Sequence, residues 1–202
     1  MRGRMATAVE ASTAAWDQGD LMARRDGFTN QARPWRRAAA GAGAALVGWL
    51  RESASYEPRF AFVALDGDRI VGHVMATWGD LDGAPTLGLG PLSVEPSRQG
   101  QGIGSQLMEA TLDAPRQAGA SVIVLPGEPG YYAWFGFVQA ADLGISADPA
   151  WGEFFQARPL AGGWGRDGDA ASPAYAGARG VFTYPEPFAR LGWRPGVSRH
   201  RV

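Results

Sequence analysis

The sequence predicts a mixed α/β domain, a central sheet flanked by helices. Three observations carry this expectation. Strand-like and helix-like runs alternate through the middle of the chain, and strand-like runs gather toward its end. The turn "DGD" at 66–68 joins two apolar runs as a β-hairpin. At 202 residues and 46% apolar content, the chain has the material for one domain with a real core.

The elements follow in order. Residues 1–40 hold seven arginines and four acids among many alanines, without a clean strand or helix period. They are expected to be an atypical N-terminal segment, either disordered or a diverged first strand. Deleting residues 1–25 is expected to leave the domain, residues 41–190, folded; residues 191–202 read as a tail. In "AAAGAGAALVGWLRES" (38–53), Ala45, Leu46, Trp49 and Leu50 fall at helical spacing. Residues 60–80 read as the two strands of the hairpin. "TLGLGPLSVEP" (86–96) reads as a third strand, in which Pro91 and its neighbouring glycines predict a bulge. A helix is expected from Ile103 to Ala114, burying Ile103, Leu107, Ala110 and Thr111 or Ala114, with Pro115 ending or kinking it. "ASVIVLPG" (120–127) is a short β-branched run typical of a buried strand. "GYYAWFGF" (130–137) reads as a short helix stopped by Gly136, and residues 152–160 and 178–185 as strands around a glycine-rich loop, 161–177.

Composition excludes several chemistries. All 19 basic residues are arginine, so neither a Walker-type phosphate loop nor a lysine Schiff base is available. Cysteine is absent, which removes disulfides, thiolate metal sites and a thiol nucleophile. The only histidines are His73 and His200, without an HExxH spacing, so no metal is expected. A net charge of −1 gives no reason to expect nucleic acid as a partner. No apolar run approaches the ~20 residues that span a bilayer, and the N-terminus lacks a secretory apolar stretch. A cytoplasmic location fits these features.

"VEPSRQGQGIGSQLMEA" (94–110) places Gly100, Gly102 and Gly104 between a strand and a helix. A helix N-terminus offers free N–H groups and roughly half a positive charge, and glycine lets an anion approach that backbone closely. Gln99 to Ser105 therefore reads as a diphosphate cradle; the plainer alternative is a strand-to-helix turn using glycine for packing. The spacing is not the GxGxxG of dinucleotide-binding folds, and no acidic residue ends the next strand.

The segment resembles the acetyl-CoA loop of the GNAT N-acetyltransferase superfamily, (Q/R)-x-x-G-x-(G/A), matched by Gln99, Gly102 and Gly104. The preceding "LSVEP" resembles that family's fourth strand, and "YYAWFGF" its FY-x-x-x-GF segment. The motifs stand in the family's order, and the resemblance covers about residues 43–188, most like a bacterial subgroup of predicted acetyltransferases. It implies the GNAT fold, with a mixed sheet splayed between the fourth and fifth strands. The implied reaction is direct attack on acetyl-CoA, the co-substrate, by a primary amine of a small molecule or peptide.

Residue roles follow from the same resemblance. N–H groups of Gly100, Gln101, Gly102, Ile103, Gly104 and Ser105 would grip the pyrophosphate, with Gln99 bracing the loop. Arg98 would reach a phosphate or remain a solvated charge. Leu92 and Val94 would pair with the pantetheine arm in the splay, one of their N–H groups polarising the thioester carbonyl. Tyr132, four residues before Gly136-Phe137, would be the acid for the departing thiolate, with Tyr131 second in line. The base is not named by any motif: His73, Glu95, Glu128 and Asp80 are candidates, and a water chain is another. The implied partners are acetyl-CoA and an unidentified amine, with a homodimer allowed. Two rivals stand beside this reading. One is a GNAT-fold module that binds acyl-CoA without efficient turnover. The other is a hydrolase using Ser93 or Ser105 with His73, for which no G-x-S-x-G elbow exists.

Overall fold

The computed structural model describes residues 4–7, 43–67, 69–118, 120–160 and 177–191. All but residue 177 of the expected loop (161–177) and all but residue 191 of the expected tail (191–202) lie outside these, as does most of the N-terminal segment.

Seven strands form one path, β1-β2-β3-β4-β5-β8-β6. They are β1 (Arg4–Thr7), β2 (Tyr56–Asp66), β3 (Arg69–Leu81), β4 (Ala84–Val94), β5 (Val122–Pro126), β6 (Val138–Gln139) and β8 (Phe155–Pro159). Off this path, β9 (Gly180–Thr183) continues the β3 edge at Asp80 and Leu81 and pairs in parallel with β7 (Ile145–Ser146). Every pairing along the main path is antiparallel except β4 with β5. This is the mixed sheet expected from the sequence.

Arg4–Thr7 lie antiparallel to Phe62–Leu65. These four residues fit the reading of the segment as a diverged first strand, and a deletion through residue 25 would remove this paired strand. Four residues are too few to show a period, which is why the pattern hid them. Both hairpins close tightly, with Asp66 facing Arg69 in the first and Leu81 facing Ala84 in the second. The second turn is Asp82-Gly83, with φ of +46° and +88°. Asp-Gly is a favoured pair for such turns, and it extends the third strand two residues before the expected start.

Helix α1 (Gly43–Arg51) buries Leu46, Val47 and Leu50 against Ala61 and Met75. Of the residues at helical spacing, Ala45 is exposed, while Val47 between them is buried. Helix α2 (Ile103–Gln117) covers the opposite face, where Leu107, Met108 and Leu112 meet Val74, Ala76 and Leu89. Its apolar stripe is wider than expected. Pro115 does not end it: the helix runs on to Gln117 without the Pro115 N–H, and Ala118 still donates to Ala114. The short helix α3 (Pro129–Tyr132) runs into a 3-10 turn, Ala133–Phe135, stopped by Gly136 at φ +73°.

Candidate functional site

The site begins where two strands part. β4 and β5 pair only at Leu87–Ile123 and Gly88–Val124. Farther along, β4 stays with β3 while β5 stays with β8. A bulge accompanies the parting. Ala76 faces Leu89 and Val74 faces Leu92, so Gly90 and Pro91 together oppose Met75. The bulge lies where Pro91 and its glycines predicted it.

The bulge leaves a strand edge open. Glu95 donates its N–H to Val71 on β3 (2.8 Å). Backbone direction alternates along a strand, so Val94 and Leu92 turn their N–H groups the other way, into the gap. Both side chains pack half-buried on the α2 face, so only their backbone addresses it.

The glycine loop closes the wide end of the gap. Gly100 and Gly102 have φ of +72° and +80°, where a side chain is strained, and a Cβ on either would meet nothing within 4 Å. The open space is therefore in front of the backbone. Gly102 is the N-cap of α2 and supplies no side-chain cap, and the first helical bond runs from Gln106 N–H to Gly102 O (3.1 Å). The N–H groups of Ile103, Gly104 and Ser105 thus precede the helical ladder. Gln99 braces the loop, its Nε2 donating to Val94 O (3.1 Å), and Gln101 Nε2 donates to Ser97 O (3.3 Å). Arg98 is ion-paired with Asp66, which pins the loop to the first hairpin. The loop is thus braced from its own side chains, with Gly100 and Gly102 toward open space.

Two tyrosines separate at α3. Tyr131 stands over the first turn of α2, its hydroxyl 3.0 Å from where a Cβ of Gly104 would sit. Burial raises its pKa. Tyr132 lies against Gly127, at the end of β5, and edge-on to Phe137 (5.7 Å). Its phenol is near enough to Tyr184 to disfavour that residue's ionisation, which follows burial as the second cause of Tyr184's well-raised pKa. Tyr184 donates to Leu89 O (3.3 Å), beside the parting of the strands. Tyr132 is therefore at the gap and Tyr131 at the loop. Tyr184 was missed by the sequence reading, since no spacing in "VFTYP" sets it apart.

The candidate bases are scattered. Asp80 Oδ1 accepts from Gly83 N–H (3.0 Å) in the second hairpin turn. Glu128 is the N-cap of α3. Glu95 is buried and ion-paired with Arg69. His73 is buried on the α1 face, across from Ser93. Ser93 Oγ makes no hydrogen bond among the described residues, so no Ser–His dyad forms there. No group of metal-ligating side chains occurs among the described residues, and none of their helices is long and apolar enough to cross a membrane.

His73 is held neutral. Burial first, and the Arg51 charge second, lower its pKa from 6.5 to about 4. As pH falls through 6.5 the unfolded chain takes up this proton before the folded one. The stability present above pH 6.5 is therefore lost progressively toward pH 4, by about 2 kcal/mol at pH 5. In urea titrations, His73→Gln is expected to lose that much less stability than wild type between pH 7.5 and 5. Parallel pH profiles would show that His73 does not carry the effect.

The family model described as "Acetyltransferase (GNAT) family" matches residues 26–137. The N-acetyltransferase YhbS of Escherichia coli, itself described as uncharacterized, is 30% identical over 152 residues, 73% of this chain and 84% of YhbS. The crystal structure of E. coli YhbS in complex with CoA superposes with a TM-score of 0.73 at 26% identity, covering 97% of each chain. A Brucella melitensis GNAT acetyltransferase in complex with acetyl-CoA shares the fold, with a TM-score of 0.62 at 24% identity over 93% of this chain and 98% of that one.

Proposed function

Because this chain belongs to the GNAT acetyltransferase family, we propose that it moves the acetyl group of acetyl-CoA to a primary amine of a small molecule or peptide. That the chain is an acetyl-CoA-dependent acetyltransferase follows from the family and from its CoA-bound relatives. The nature of the acceptor and the residue roles are our reading.

The observation that carries it is the continuity of two backbone surfaces. The N–H groups at the start of α2 meet the open edge of β4 at Val94, so one extended anionic chain can use both. The loop N–H groups, from Gly100 to Ser105, would hold the diphosphate by dipole and hydrogen bond, without lysine. Leu92 and Val94 N–H would align the arm as a further strand, and one of them would stabilise charge growing on the carbonyl oxygen. Tyr132, at the gap, would give its phenolic proton to the leaving sulfur.

The proton of the attacking ammonium needs a different exit. Glu95 is engaged by Arg69, Asp80 belongs to a turn, and His73 is a weak base behind the sheet. These placements support loss of that proton through water to solvent. The test is thiol release from acetyl-CoA in the presence of a panel of amines. Release that rises with amine concentration and pH, with an acetylated product, is expected. A rate indifferent to every amine would count against transfer to nitrogen.

A further inference from the structure

Tyr184 follows β9 and lies across Gly88, where a Cβ would come within 2.4 Å of its ring. Its hydroxyl donates to Leu89 O (3.3 Å), with Val124 O at 3.5 Å on the other side. Gly88 and Val124 are the last residues to pair before β4 and β5 part. One phenol thus touches both strands at the apex of the gap. Its ring is held by Phe188 (4.3 Å), by Phe182 edge-on (4.8 Å) and by Trp151 edge-on (5.5 Å), so it is a fixed stop rather than a swinging one.

Direction gives this stop a meaning, and here the inference rests on the function proposed above. The diphosphate end of the ligand belongs at the α2 terminus, beyond Val94. An arm lying along β4 from there runs back toward Leu89, with the acyl group leading. The acyl group therefore points at the apex. We propose that Tyr184 is a specificity-determining residue whose phenol floors the acyl end of the gap, admitting a two-carbon group and refusing longer chains. Gly88 belongs to the same device, since only a residue without a side chain lets the ring lie on the strand.

Binding tests this without a known acceptor. The full chain is titrated calorimetrically with CoA, acetyl-CoA and butyryl-CoA, as wild type, Tyr184→Leu and Tyr184→Phe. Wild type is expected to bind butyryl-CoA at least about 10-fold more weakly than acetyl-CoA, in the range that pockets reach for added methylenes. Tyr184→Leu is expected to bring the two to near parity while affinity for CoA stays the same. Tyr184→Phe keeps the aromatic packing and loses only the oxygen. With propionyl-CoA added to the titration, it is expected to narrow the gap between propionyl-CoA and acetyl-CoA, and it decides the matter if the leucine variant does not fold. Equal affinities in wild type would overturn the proposal. So would discrimination that is unchanged in the folded variants while CoA still binds. Failure of wild type to bind CoA at all would instead remove the function on which the proposal rests, and the proposal with it.

Discussion

Gly102→Glu is expected to reduce acetyl-CoA affinity by at least about 100-fold, roughly 3 kcal/mol. Gly102 sits at φ +80° with open space where a side chain would project. A glutamate there puts a carboxylate among the N–H groups that would hold the diphosphate, so repulsion adds to blockage. The left-handed backbone also costs any non-glycine residue about 1 kcal/mol. Gly102→Ala carries that cost without the charge and separates the two effects. Gly104→Val is also expected to abolish binding, by a different route. Its Cβ would press on the Tyr131 hydroxyl at 3.0 Å, pushing that side chain off the first turn of α2. Calorimetric titration of the folded variants checks both, and unchanged affinity in both would show that the loop does not hold the ligand.

Tyr132→Phe is expected to lower kcat about 100-fold while leaving acetyl-CoA affinity nearly intact. General-acid help is typically worth ~10²–10⁴-fold, or roughly 3–5 kcal/mol. A thiolate is a fairly good leaving group, so the low end applies. The substitution removes one oxygen and keeps the ring against Gly127 and Phe137, so stability should change little. Tyr131→Phe is the control. Its hydroxyl stands over Gly104 rather than in the gap, and kcat is expected to be almost unchanged. Steady-state thiol release with an active amine measures both. A wild-type rate for Tyr132→Phe across the pH range would assign protonation of the thiolate to solvent. Damage from Tyr131→Phe instead would move the acid to the loop side of α3.

Tyr131 and Tyr132 show where the sequence was informative and where it was not. The spacing to Gly136-Phe137 put Tyr132 first and Tyr131 second, but only the packing set one beside Gly127 and the other over Gly104. The glycine loop, the bulge at Gly90-Pro91 and the central hairpin were legible, since each is a local pattern set by a few adjacent residues.

By itself, the sequence determined the local chemistry: which backbone could approach an anion, which strand had to bulge, and which cationic and thiol chemistries were unavailable. Only the tertiary structure decided what meets across long separations. Tyr184 reaches Leu89, 95 residues away, and Arg69 reaches Glu95, 26 residues away. Burial of His73 behind α1, which makes it a weak base, likewise arises when the helix docks on the sheet. Such contacts leave no period or spacing in the chain, because they are set by sheet order and strand register rather than by the neighbours of each residue.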